Sequence, residues 1–187
     1  MLTIADPAPD FVLPGVHQGK VREYSLREAR GNWLVLFFYP ADFTFVCPTE
    51  LGDLADNYKR FVAEGAEILV ASTDTAFSHK AWHDSSPTIG KIEFPMLADP
   101  TGRLSRDFGV YIEEEGLTHR GTFLIDPNGI LMAYEIHEDA IGRSTDELLR
   151  KLQAAKFVAE HHGEVCPMNW KPGSKTLKRG VELVGKI

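Results

Sequence analysis

Apolar and polar positions alternate between two periods along this chain, and the switch between them marks its first structural unit. Seven consecutive apolar residues, Trp33 to Tyr39, lie between Gly31-Asn32 and Pro40. A short unbroken apolar run with breakers on both sides predicts a strand buried on both faces. Beyond Pro48 the period lengthens, and Leu51, Leu54, Ala55, Tyr58 and Val62 recur at helical spacing. That predicts a helix from Pro48 to about Glu64, opened by a proline and stopped by Gly65. One of the two cysteines, Cys47, stands at the junction.

The same reading carries through the rest of the chain. Residues 5–11 are too proline-rich for a helix, and Val12 to Ser25 predicts a short hairpin around Gly15 to Lys20. Glu67–Thr73 reads as a second buried strand, Phe77–Ser85 as a helix, Phe94–Ala98 as a short strand and Leu104–Phe108 as a short helix. Thr122–Asp126 and Ile130–Ile136 flank Pro127-Asn128-Gly129, a strong hairpin signal. Ser144 with Glu147 three residues on forms a capping box. A last helix then follows to about His161, with Leu148, Leu152, Ala155 and Ala159 as its apolar stripe. The turn-rich remainder, Gly163 to Ile187, reads as an arm. Strands alternating with helices, plus a late hairpin, predict an α/β chain with a mixed sheet covered by helices.

Composition narrows the function classes. The chain has 187 residues, 43% of them hydrophobic, and a net charge of −7. An acidic balance without a basic stripe argues against nucleic-acid binding. No apolar run approaches the ~20 residues that span a bilayer, and Met1 to Pro7 shows no secretory signal pattern. A cytoplasmic protein is expected, with no membrane partner. There is no Gly-rich phosphate loop or dinucleotide fingerprint, so no cofactor is expected. Two widely spaced cysteines in a reducing compartment point to catalysis or redox sensing rather than a disulfide scaffold.

Cys47 is the candidate nucleophile. At a helix start, unpaired N–H groups and the helix dipole favour negative charge, and the thiolate is the reactive form of cysteine. Cys47-Pro48-Thr49-Glu50 lacks the second cysteine of a Cys-x-x-Cys pair, so an oxidised Cys47 must be resolved by Cys166 or by another molecule. A sulfenic acid condensing with such a thiol gives a disulfide. His79 and His83 share a helix face at i, i+4 but lack the glutamate of a metalloprotease and a nearby third ligand, so a surface or packing role is expected, and no metal. His119 or His137 could serve as base in a Cys–His hydrolase, which would leave Cys166 unexplained. Glu113-Glu114-Glu115 reads as a solvated loop.

These residues also resemble a known family. Pro40-Ala-Asp-Phe-Thr44-Phe-Val-Cys47 is similar to the peroxiredoxin pattern Pro-x-x-x-Thr-x-x-Cys, and Phe43 to Glu50 to the typical two-cysteine class. Arg120-Gly-Thr-Phe-Leu-Ile-Asp126 resembles the segment carrying that family's active-site arginine. Val165-Cys166-Pro167 resembles its resolving motif, and the closing Leu183 to Ile187 resembles the bacterial branch that reduces alkyl hydroperoxides.

The resemblance implies a thioredoxin-like fold over residues 1–160, with a C-terminal arm, 161–187, carrying the resolving cysteine. It implies a peroxide substrate and a Cys47 sulfenic acid resolved by Cys166 of a partner subunit. It also implies recycling by a flavoprotein disulfide reductase or a thioredoxin-like donor, in a homodimer assembled as a pentamer of dimers. Arg120 would stabilise charge on sulfur and on the breaking O–O bond. Thr44 would align the peroxide, Pro40 would limit water, and Glu50 and Arg143 would hold Arg120. Ser86 to Lys91 stands where overoxidation-sensitive members carry a Gly-Gly-Leu-Gly insertion, so a robust enzyme is expected. The alternative from another class is a redox sensor or holdase ring that does not turn over.

Overall fold

The computed structural model describes residues 2–186; Met1 and Ile187, the outer bounds of the two expected segments, lie outside the described residues. The chain divides into two units, Met1–Thr145 and Asp146–Ile187, so the division falls at the start of the last helix.

The first unit opens with the expected hairpin, β1 (Val12–His17) and β2 (Lys20–Ser25). Its turn residues Gln18 and Gly19 have φ of 50° and 72°, as a tight turn matched to right-handed strand twist requires. Ser25 caps the single-turn helix α1 (Leu26–Ala29) by accepting from the Glu28 amide at 3.2 Å. Strand β3 (Trp33–Phe38) follows, and all six of its residues are buried. Tyr39 ends the apolar run outside the strand, still donating its N–H to the Ala71 carbonyl at 3.0 Å.

The helix expected from Pro48 to Glu64 is two helices, α2 (Cys47–Asp56) and α3 (Tyr58–Ala63). Asn57 separates them. Its side-chain amide donates to the Asp53 carbonyl at 2.9 Å, the local competition that makes asparagine a poor helix interior residue. Gly65 closes the segment at φ 69°. Strand β4 (Ala66–Ser72) and helix α4 (Ala76–Ser85), capped by Thr75, come next. Then follow a 3₁₀ turn at Ile89–Lys91, β5 (Met96–Ala98) and helix α5 (Arg103–Asp107). A small hairpin, β6 (Tyr111–Ile112) with β7 (Leu117–Thr118), was not foreseen from the pattern. Glu113, expected to be merely solvated, sits in its connection and takes two bonds from Arg106, at 2.6 and 2.9 Å. The long hairpin is β8 (Arg120–Ile125) and β9 (Leu131–His137), with Gly129 at φ 78° in its turn.

These strands form one mixed seven-stranded sheet in the order β2-β1-β5-β4-β3-β8-β9, flanked by helices. The fully apolar β3 lies inside it, parallel to β4 and antiparallel to β8. Its core includes an aromatic group in which Phe123 meets Phe38 at 5.7 Å and Phe108 at 4.8 Å, both edge-on. Burying each such ring contributes roughly 1.5–3 kcal/mol. This core fixes the C-terminal end of β3, from which Pro40 and the loop to Cys47 emerge.

The second unit holds most of α6 (Thr145–Glu160) and a two-stranded hairpin, β10 (Glu164–Val165) with β11 (Leu177–Lys178). Trp170 is its buried anchor. The indole packs on Phe157 at 4.9 Å and donates to the Ser174 carbonyl at 3.2 Å, and the Trp170 carbonyl accepts from Arg150 at 3.3 Å. Among the described residues no helix is long and apolar enough to cross a membrane.

Candidate active site

Cys47 is the first residue of α2, one place earlier than the proline start suggested, and it is wholly buried. Pro48 occupies the first turn, where a missing N–H costs nothing. Burial would leave a lone thiol inert, but here a cation shares the site. Arg120, the first residue of β8 and itself buried, places Nη1 3.5 Å from Cys47 Sγ.

A carboxylate and a second arginine hold that guanidinium. Arg120 Nη1 donates to Glu50 Oε2 at 2.8 Å, and its Nε donates to the Asp139 carbonyl at 2.7 Å. Arg143 grips the same carboxylate twice, Nε to Oε1 at 3.0 Å and Nη2 to Oε2 at 2.8 Å, and its main-chain N–H adds a third bond at 2.8 Å. Arg143 Nη1 is used on the Gly121 carbonyl and the Thr122 hydroxyl, and its guanidinium lies 3.3 Å over the Phe37 ring. Planar bidentate pairing of this kind orients as well as binds.

The charges respond accordingly. Burial opposes ionisation of Glu50, but bonds and charge from Arg143, then Arg120, outweigh it and hold its carboxyl below the usual range. Burial also opposes the Arg120 charge, yet the bond to Cys47 and the charge of Glu50 carry it above its ordinary value. Burial dominates at Arg143 and draws it below its ordinary value despite Glu50. Two guanidinium groups face one carboxylate, so the cluster has an excess positive charge beside the sulfur.

The loop between β3 and α2 leads into Cys47. Pro40 is buried at its start. Thr44 donates its hydroxyl proton to the Ala41 carbonyl at 2.8 Å, which leaves its lone pairs as acceptors. Between them Phe43 has φ 56° without being glycine. Such backbone costs about 1–3 kcal/mol and persists only where surrounding contacts over-determine it. The contacts here are made by Asp42, whose N–H donates to Asp74 Oδ2 at 2.9 Å and whose carboxylate meets Tyr39 and His79.

The structure therefore brings Cys47, Glu50, Arg120 and Arg143 together. Cys166 belongs to the second unit, half-buried, with its Sγ 3.9 Å from the Ala154 carbonyl. Neither cysteine is in a disulfide. The two histidines considered as bases are engaged elsewhere: His119 meets Asp139 at 3.3 Å, and His137 meets the Ile141 carbonyl at 3.4 Å and Glu135 at 3.7 Å. His79 and His83 part company, with His83 beside the Ile92 carbonyl and His79 fully buried on Asp42. Among the described residues no group of three or more His, Cys, Asp or Glu could hold a metal ion. The Asp139 carbonyl, which has no side-chain signature, escaped the sequence reading. The burial of His79 falls within the surface or packing role expected of it, with Asp42 as the partner that helical spacing does not name.

Comparison with known proteins places the chain in a family. Residues 4–134 match the model of the AhpC/TSA family, and residues 154–184 match the C-terminal domain of 1-Cys peroxiredoxin. Alkyl hydroperoxide reductase C of Escherichia coli (strain K12) is 53% identical over 169 residues, 90% of each chain. The protein of the same name from Pseudomonas aeruginosa is 51% identical over 177 residues, 95% of each. Among solved structures, Enterococcus faecalis AhpC superposes with a TM-score of 0.86 at 46% identity, covering 89% of this chain and all of that one. Reduced Plasmodium vivax 2-Cys peroxiredoxin gives 0.88 at 34% identity, covering 92% and 91%. With that identity over nearly the whole chain, and a buried cysteine–arginine pair on a thioredoxin-like sheet, the chain belongs to the AhpC/TSA family and is a thiol peroxidase of the peroxiredoxin kind.

Proposed function

We propose that this peroxidase reduces hydrogen peroxide and organic hydroperoxides at Cys47, and that Cys166 of a second copy resolves the oxidised sulfur. The observation that carries the reading is Arg120 Nη1 at 3.5 Å from a sulfur with no exposed surface, beside a cluster with one positive charge to spare. A Cys47 thiolate neutralises that excess. In a water-poor site, fixed cations aimed at developing charge are worth far more than in water.

The Cys47 thiolate attacks the terminal oxygen of the peroxide. The S–O bond forms as the O–O bond breaks, and the electron pair leaves on the second oxygen. That oxygen takes a proton and departs as water or an alcohol, and sulfur, oxidised by two electrons, is left as sulfenic acid. Arg120 stabilises the charge on sulfur and on the departing oxygen. Thr44, with its own proton turned to Ala41, accepts from the peroxide O–H and aligns it for attack. Pro40 closes the pocket against water, and Glu50 with Arg143 fixes Arg120.

The Cys166 thiol then attacks the sulfenic sulfur, forming a disulfide and releasing water. Because Cys47 is buried in the first turn of α2, that turn must unwind for another chain's thiol to reach it. An external dithiol, a flavoprotein disulfide reductase or a thioredoxin-like carrier, reduces the disulfide and returns both thiols. The chain works in antioxidant defence in a reducing cytoplasm. Exposed aromatics on the first unit, Phe43, Phe45 and Phe77, offer apolar surface for contact between copies, in our reading homodimers assembled into a ring of five.

Stopped-flow mixing of the reduced protein with hydrogen peroxide, followed by mass spectrometry, tests this reading. Rapid oxidation confined to Cys47, then a Cys47–Cys166 disulfide between chains, is expected. Oxidation that proceeds equally in Cys47→Ser, or one that never turns over with a thiol donor, overturns it and leaves a redox sensor or holdase.

A further inference from the structure

Among the buried titratable groups that the peroxidase mechanism leaves unused is a histidine paired with an aspartate. His79, on α4, has no exposed surface, and both of its ring nitrogens face acceptors. Nε2 lies 2.9 Å from the Leu97 carbonyl, and Nδ1 lies 2.8 Å from Asp42 Oδ2. Tyr39 donates its hydroxyl to the other carboxylate oxygen, Oδ1, at 2.7 Å, and also lies 3.3 Å from Nδ1.

A hydrogen inventory fixes the proton count. The Leu97 carbonyl can only accept, so Nε2 carries a hydrogen. Tyr39 remains a donor, because burial and then the charge of Asp42 lift its hydroxyl well above its ordinary value. A neutral imidazole with its proton on Nε2, set against an ionised Asp42, would bring two lone pairs face to face at 2.8 Å. Buried polar atoms do not tolerate that. One further proton therefore lies between Nδ1 and Oδ2, and the pair is neutral overall and strongly directional.

This pair is tied to the active-site loop. Asp42 is fixed at its N–H by Asp74, whose Oδ2 is itself held by the Ser72 hydroxyl at 2.7 Å. The next residue, Phe43, has the left-handed backbone, and Thr44 follows with its hydroxyl on Ala41. Rotation at Asp42 would relax Phe43 and swing the Thr44 hydroxyl off the Ala41 carbonyl.

We infer that Asp42 and His79 are positioning residues of the peroxidase, their shared proton clamping the Tyr39–Thr44 loop so that the Thr44 hydroxyl aims its lone pairs at the incoming peroxide. The inference rests on the peroxidase reading above. It places no catalytic role on the histidine, which touches neither the sulfur nor the substrate.

The test is a double-mutant cycle on the rate of Cys47 oxidation by hydrogen peroxide, with iodoacetamide alkylation of the same sulfur as control. His79→Phe and Asp42→Ala should each slow oxidation about tenfold or more, since small misplacements near reacting atoms are costly. Alkylation, which needs no Thr44, should not slow with it. Asp42→Asn should restore most of what Asp42→Ala loses, because its amide can donate to a neutral imidazole and still accept from Tyr39. In a Thr44→Val background the same substitutions should cost almost nothing further, the mark of two residues acting through one group. Tyr39→Phe, which removes a single donor, runs the same cycle where His79→Phe does not fold. Additive losses in the Thr44→Val background, a parallel fall in alkylation, or folded variants with unchanged peroxide rate overturn the inference. If the parent protein itself does not react with peroxide, the peroxidase reading falls instead.

Discussion

Cys47 and Cys166 occupy opposite kinds of ground. Cys47 is wholly buried, with Arg120, Glu50 and Arg143 in one charged cluster and the β3–α2 loop fixed by Asp42. Cys166 follows a two-residue strand, half-buried, and its sulfur has only a long contact to a helix carbonyl. A sulfur that must stabilise a transition state is served by rigid, preorganised charge. Under the proposed resolution step the Cys166 thiol leaves its place to reach another chain, which few contacts and a low local unfolding cost favour. Substitutions should therefore act on chemistry at the first site and on resolution at the second.

The largest effect belongs to Cys47→Ser, which should reduce peroxide consumption to background while leaving the circular dichroism spectrum unchanged. Next comes the cation. Arg120→Met should slow oxidation of Cys47 by about 10²–10³-fold, the usual loss when one preorganised donor to developing charge is removed. Arg120→Lys should recover little of it, since a single ammonium cannot face Cys47, Glu50 and the Asp139 carbonyl in one plane. A folded Arg120→Met protein with the parent's rate would mean that the cluster is structural only.

Glu50→Gln separates stability from chemistry in the same cluster. Breaking a buried pair at one partner costs roughly 3–5 kcal/mol, because the remaining charges are left uncompensated. The dependence on pH follows from the direction of its shift. The carboxyl sits lower in the folded chain than the ~4.3 of a free glutamate, so its contribution is complete above that value. It is lost as pH falls through the depressed folded value. Urea midpoints of the parent and of Glu50→Gln should differ by a constant amount above about pH 5 and converge in stronger acid. A gap that widens on acidification would reverse the assigned sign.

The same contrast explains what could be read from the sequence. The β3 run, the β8–β9 turn at Pro127-Asn128-Gly129 and the helix start beside Pro48 are dictated by local pattern; the turn stands where that pattern puts it, β3 ends one residue short of the run, and α2 starts one residue before the proline. Asn57 defeated the single-helix expectation because apolar spacing continues across it while its side chain competes for Asp53. The β6–β7 hairpin was hidden because two-residue strands carry no period. Within the site, Arg120 and Arg143 were named from family motifs, since nothing local says that residues 70 and 93 positions beyond Glu50 share its carboxylate. His79 was assigned a surface or packing role because helical spacing cannot report which neighbour, in this case Asp42, meets the ring.

The smallest effects lie at Cys166, and they sharpen the comparison. Cys166→Ser should change stability by less than about 0.5 kcal/mol, as for a position outside any buried network. It should keep the first oxidation of Cys47 and lose the disulfide-linked dimer on a nonreducing gel. The intact arm also restrains this thiol. Burial pushes Cys166 up, opposed by the charge of Arg150 and aided by that of Glu164. Raised in the folded arm above the ~8.5 of a free cysteine, the thiol is a weak nucleophile at neutral pH while it stays docked. Labelling of Cys166 by iodoacetamide should therefore be slow at pH 7 and accelerate as pH rises past the ordinary thiol range. Urea too dilute to unfold the Met1–Thr145 unit should accelerate it at constant pH, by freeing the arm from α6. If Cys166 labels at pH 7 as fast as a thiol in an unfolded peptide, and urea adds nothing, the arm imposes no restraint and release is not a step in resolution.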